Sequence, residues 1–298
     1  MKLFKYAISL LFAWLASSQP LLAEENLSDI WLYYSEDEID TKDTSVLMNF
    51  GISQDDSISM SFGETSSTTT NPFTSVTRVI TTNEFSLGYN TIIFAPWSMS
   101  YVYEHWGKDN EIEVNSFLLN ADYFFDKWVT GFSLEYRKID AYSASQGHAS
   151  IKSYSLGLNL ERDWQDVRWT MYGDWYEYDK DIENITTLEL IQLIGLRNYT
   201  HTGILVDWSA GSSLRYQFTD SSIAFRYSHS VSAVSDTDSD TFELVFDTTF
   251  SDRLMLNLEW GRSYSTRTFR EFSDPMNPRE VKETHETDYA VVGLGVKF

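Results

Sequence analysis

Apolar and polar residues alternate along most of this chain. Phe117, Leu119, Ala121, Tyr123 and Phe125 share one face of a segment whose other face carries Ser116, Asn120 and Asp122. After Asp126-Lys127, the residues Trp128, Thr130, Phe132, Leu134 and Tyr136 alternate with Gly131, Ser133, Glu135 and Arg137. Tyr154, Leu156, Leu158 and Leu160 alternate in the same way with Ser155, Gly157, Asn159 and Glu161. A period of two is the signature of strands with one apolar face. No convincing long helix interrupts the pattern from Asp29 onward. The first strand, Asp29 to Asp37, is ambiguous in its facing, because Trp31, Tyr33 and Tyr34 fall on both parities.

The connections add a second rhythm. Short turns are expected at Asp55-Asp56, Asn90 to Ala95, Asp126-Lys127, Gln165-Asp166, Thr219 to Ser221 and Ser251-Asp252, where short polar side chains can bond the nearby backbone. Longer polar connections are expected near 37–44, 65–77, 107–111, 140–149, 180–203, 235–240 and 266–285. Short and long alternate strictly, and together they join about fourteen strands. The segment Thr187 to Leu196 fits a lid helix, an inward-folded plug or a hairpin adding two strands, so twelve and sixteen stay open beside fourteen.

The last strand carries a more specific signal. Ala290, Val292, Leu294, Val296 and Phe298 share one face, and Tyr289, Val291, Gly293, Gly295 and Lys297 the other. Ending on an aromatic in this way resembles the closing strand of Gram-negative outer-membrane β-barrels. The resemblance implies an all-β, transmembrane, antiparallel up-and-down barrel with short periplasmic turns and long extracellular loops. It also implies that Tyr289, Val292, Leu294, Val296 and Phe298 form a signal for the barrel-assembly machinery. Outer-membrane lipids and lipopolysaccharide are then the surroundings.

Residues 1 to 23 read as an export signal: Lys2 and Lys5, an apolar core from Ala7 to Leu15, and a small residue, Ala23, before the cut. The barrel domain is then 24 to 298. The chain has no Cys, which excludes disulfides, thiolate metal sites and a lipid-modified N-terminal cysteine. With Lys2 and Lys5 set aside, 44 acidic residues face 20 basic ones, a net charge of −24 that argues against nucleic acid as a partner. Aromatics make up 16% of the chain, too many for a plain soluble surface. They cluster near the expected turns (Tyr89, Trp97, Phe125, Trp128, Trp164, Trp169) and toward the loop ends (Tyr103, Trp106, Trp175, Tyr227, Trp260), as two interfacial girdles would.

Setting the apolar faces outward leaves a polar inner set. It holds Glu84, Glu104, Asp122, Glu135, Glu161, Asp174, Glu243, Asp247 and Glu259 against Arg137, Arg168, Arg215 and Arg226. Facing lipid, a cation near the midplane would cost about 2–4 kcal/mol, so these residues are expected to line the lumen. The acidic excess suits a passive channel for small solutes with a modest cation preference. The rival is a structural or surface-interaction barrel whose Glu and Arg pair across a filled lumen. A third reading is lipid hydrolysis: Gly147-His148-Ala149-Ser150 places His148 and Ser150 on one face and resembles the His-x-Ser pairs of outer-membrane phospholipase A and lipid A deacylases. Those families follow the Ser with Asn and a small residue, whereas Ile151-Lys152 stands here. The run Ser235 to Asp240 lacks the Gly and terminal Glu of an EF-hand loop and reads as solvated. No metal site and no cofactor is expected.

Overall fold

Fourteen strands close into one barrel in the computed structural model, which describes residues 28–38, 40–70, 77–108, 111–143, 147–179, 205–233, 237–271 and 279–298. The expected export signal, 1 to 23, and the whole 180–203 connection, with its Thr187 to Leu196 segment, lie outside the described residues. In chain order the strands are β1 (Asp29–Asp37), β2 (Lys42–Gly51), β3 (Asp56–Thr70), β4 (Thr77–Phe94), β5 (Trp97–Lys108), β6 (Ile112–Phe125) and β7 (Trp128–Ser143). The second half runs β8 (Gly147–Trp164), β9 (Val167–Tyr178), β10 (Val206–Gln217), β11 (Ser221–Ser232), β12 (Thr237–Thr249), β13 (Leu254–Glu271) and β14 (Arg279–Lys297). Each strand pairs antiparallel with its sequence neighbours, and β14 pairs with β1 from Asp29↔Lys297 to Asp37↔Tyr289. Closure leaves no free sheet edge, which a chain crossing a bilayer by strands requires.

The apolar residues are on the outside. Phe117, Phe132, Leu134, Tyr154, Leu156, Leu158, Trp175, Leu214, Phe225, Leu244, Trp260 and Leu294 are all exposed, each at the outward parity of its strand. On β8 this band runs from Tyr154 to Trp164, ten steps along the strand. At about 3.3 Å per residue and a tilt near 40°, that is roughly 25 Å, the height of the hydrocarbon band in such barrels.

The turns at one end are tight. Asp126 and Gln165 adopt positive φ of 52° each, in the left-handed region that short polar side chains tolerate best. Asp163 donates its backbone N–H to Lys127 O at 3.0 Å, and Phe124 to Pro96 O at 2.9 Å, so adjacent turns are tied together.

At the other end the strands run on where loops were expected. Residues 65–70, 140–143, 147–149, 266–271 and 279–285 are in strands, so those hairpins are longer and their connections shorter. Outside the hydrocarbon band both faces of a strand meet water, and Thr and Ser on both parities then look like loop. The expected turn from Asn90 to Ala95 also shifts: β4 continues through Thr91, Ile92, Ile93 and Phe94, and the chain reverses at Ala95-Pro96. The ambiguous first strand resolves with Trp31 and Tyr33 inward, over glycines of β14, and Tyr34 outward.

Near the β14 seam, aromatic rings lie flat on glycines of the neighbouring strand. Tyr33 covers Gly293, where an added Cβ would meet the ring at 2.5 Å, and Tyr289 covers Gly261 more closely still. The Tyr289 hydroxyl donates to Glu243, one strand further on. A side chain at Gly261 must lift that ring and break the bond. We expect Gly261→Leu to destabilise the folded barrel by about 1–3 kcal/mol, read from urea unfolding in a lipid bilayer. Full stability in that variant would remove the ring–glycine contact as a closure element.

Candidate functional site: the inner wall

The pairing register places all thirteen inner-set residues on the face opposite the exposed apolar band. Two rows show the logic. Ser86, Glu104, Ser116, Arg137, Ser153 and Tyr178 are direct register partners across β4 to β9. Further round, Arg226 lies opposite Glu243, and Glu243 opposite Gly261.

The charges are not evenly distributed. On β9 to β11 each inward arginine is answered by carboxylates. Arg168 Nε is 2.8 Å from Asp163 and 3.3 Å from Glu161. Arg215 is 3.4 Å from Asp247, and Arg226 lies 3.6 Å from Glu243 and 3.5 Å from Glu259. A recess of about 260 Å³ opens between them, lined by Glu161, Arg168, Thr170, Ser213, Arg215, Ala224 and Arg226.

On β3 to β6 the wall is different. Toward the tight-turn end it is rich in hydroxyls and small residues, Ser59, Ser61, Ser86, Gly88, Ser98 and Ser100, joined by bonds such as Ser61 to Ser86 at 2.7 Å. Glu84, Glu104 and Asp122 stand among them. Glu84 lies across Gly63 and Asp122 across Gly131, where any Cβ would collide with the carboxylate. Asp122 accepts from Asn159 Nδ2 at 3.1 Å. Among the described residues none of these three carboxylates forms an ion pair. A second recess, about 390 Å³, opens at the tight-turn end and includes Ser57, Asn90, Ser98, Ser100 and Asp122.

Glu135 and Arg137 form the most enclosed pair. Arg137 donates to Glu135 Oε1 from Nη2 at 2.8 Å and from Nε at 3.0 Å, and its guanidinium lies 5.8 Å from the Tyr176 ring centre. Asp174 lies across Gly157 nearby.

Sequence reasoning missed an apolar row on this inner face. Trp106, Val114, Ile139 and Ile151 are register partners across β5 to β8, and Val114, Ile139 and Ile151 are each 1% exposed. Alternation alone sends apolar residues outward. The available signal was parity: Ile139 is two residues from Arg137, and Ile151 two from Ser153. Trp106 therefore leaves the expected outer girdle and joins the interior.

The remaining expectations fall as follows. Ser150 lies opposite Asp140 at the outward parity of β8, and the side chain of His148 lies outside the described residues. The acidic run is partly strand, and Asp240 accepts from Tyr227 at 2.7 Å while lying 2.9 Å from His229 Nδ1. In the terminal strand Val292, Leu294 and Val296 are at the outward parity, Tyr289 points in, and Phe298 meets Phe50 with ring centres 6.4 Å apart.

No family model and no curated protein sequence matches the chain. Solved structures do. One is a CymD monoaromatic hydrocarbon channel, 8% identical, with a TM-score of 0.53 over 93% of this chain and 89% of that one. Another is a Pseudomonas aeruginosa FadL homologue, also 8% identical at a TM-score of 0.53, covering 92% of this chain and 90% of that one. Such identity speaks to the fold alone, and it agrees with the closed register and the outward apolar band: this chain has the fold of the outer-membrane β-barrel proteins.

Proposed function

We propose that this barrel is a passive channel for small solutes in a Gram-negative outer membrane, with a modest preference for cations. The tight turns then face the periplasm, and residues 1 to 23 are the export signal removed near Ala23. One observation carries the cation preference: Arg137, Arg168, Arg215 and Arg226 each have a carboxylate partner, whereas Glu84, Glu104 and Asp122 have no ion pair among the described residues. The uncompensated fixed charge of the wall is therefore negative, and a ring or patch of carboxylates concentrates cations over anions in a narrow aqueous path.

The test is single-channel recording of the purified, refolded protein across a salt gradient. Wild type should open steadily with a cation-biased reversal potential, and Glu84→Gln with Glu104→Gln should move that potential toward zero. An unchanged reversal potential in the double variant would sink the carboxylate proposal. The second reading, a filled structural lumen, draws support from the apolar row and the paired arginines. Silence in a protein shown to be folded by heat-modifiable gel migration would favour it.

A further inference from the structure

Arg162 is at the outward parity of β8, three residues before the Gln165-Asp166 turn, and so faces the bilayer at its tight-turn rim. It is held between two indoles: its guanidinium carbon lies 4.6 Å from the Trp128 ring centre and 4.7 Å from that of Trp164. Trp169, the register partner of Arg162 on β9, stands beside Trp164 with ring centres 6.3 Å apart. Trp169 Nε1 donates to Ser212 at 3.0 Å, which fixes that ring in turn. The neighbouring carboxylates, Glu161 and Asp163, are at the inward parity and pair with Arg168. Arg162 Nε is buried and makes no hydrogen bond.

Two indole faces around a guanidinium are a stable cation–π arrangement, but they neither neutralise the charge nor satisfy its N–H groups. A fixed, unneutralised cation at headgroup height therefore lacks an anion. The planar guanidinium fork matches a phosphate in a way a lysine ammonium does not. Directly above it on the same face of β8 come Leu160, Leu158 and Leu156, an apolar track for an acyl chain. We propose that Arg162, Trp128, Trp164 and Trp169 form a binding site for one glycerophospholipid of the periplasmic leaflet, with Arg162 holding the phosphodiester and the leucines one chain. The site does not depend on whether the lumen conducts, and its test involves no conductance.

Native mass spectrometry of the folded protein released from micelles reads the site directly, with phosphatidylglycerol, phosphatidylethanolamine and diacylglycerol as probes. Wild type should retain both phosphate-bearing lipids over diacylglycerol, and Arg162→Gln should lower that retention about tenfold, the loss of one charged hydrogen-bonding group. Trp164→Leu should also weaken retention with the charge intact, and it carries the test if the glutamine variant fails to fold. Retention of phospholipid by folded Arg162→Gln at the wild-type level would overturn the proposal, as would equal retention of diacylglycerol. Inorganic phosphate that alters tryptophan emission as strongly as phospholipid does would mark a free-anion site and overturn the lipid assignment.

Discussion

Arg137→Met is expected to cost about 3–5 kcal/mol of stability, because it leaves a carboxylate in the wall without its cation. The side chains of Arg137 and Glu135 are only 16% and 11% exposed, although both face the lumen. Their enclosure has a cause in the neighbouring rows. Ser116 and Ser153, the register partners of Arg137 on either side, are 4% and 1% exposed, and the row above is the dry one of Trp106, Val114, Ile139 and Ile151. Glu135 therefore cannot turn to water when the arginine is lost. Replacing both members is a different matter, since apolar residues of similar volume leave no orphaned charge. Arg137→Met with Glu135→Leu should recover most of the loss, and the double-mutant cycle isolates the pair from the packing around it. The measurement is the urea midpoint of the protein in a lipid bilayer. Equal losses in the single and double variants would show that bulk, not charge, holds this part of the wall.

This pair also marks where sequence reasoning stopped. The inward parity of Glu135 and Arg137 was legible from Phe132, Leu134 and Tyr136 on the alternate positions, and so was the barrel architecture with its turns at Asp126-Lys127 and Gln165-Asp166, while the strand count of fourteen still had twelve and sixteen beside it. A period of two assigns a face once an apolar set exists to define it. It says nothing about distance along the strand or about neighbours on other strands. Hence Arg226 lying between Glu243 and Glu259 of β12 and β13 came only from the register. The inward apolar row was hidden for the same reason, since Val114 and Ile139 are apolar residues at polar parity. Beyond the hydrocarbon band the signal fades altogether. Thr65 to Thr70 pair with Thr77 to Thr82 as regular strand, yet their apolar residues, Val79 and Ile80, are adjacent and so define no face. Arg162 is the opposite exception, a charge at apolar parity, and it sits where the band ends and aromatic rings can hold it.

The same parity makes the second large prediction. Leu158 is 53% exposed and lies near the middle of the β8 band, between Tyr154 and Trp164, while the next residue, Asn159, faces inward and donates to Asp122. Arginine at 158 would enter the hydrocarbon close to the midplane, at a cost of about 2–4 kcal/mol. Leu160→Arg, closer to the headgroups, should cost less, because a longer reach to the interface relieves part of the penalty. Arginine at 159 should approach Asp122 from the wall and leave stability within about 1 kcal/mol, the range expected of a half-hydrated ion pair. Unfolding of the three variants in bilayers of one thickness separates them. If 158 and 159 respond alike, the outward band is not a lipid-facing surface, and the membrane-spanning orientation of β8 is wrong. A graded loss, with 158 above 160 and 160 above 159, ties the side-chain period of this strand to the depth profile of the bilayer.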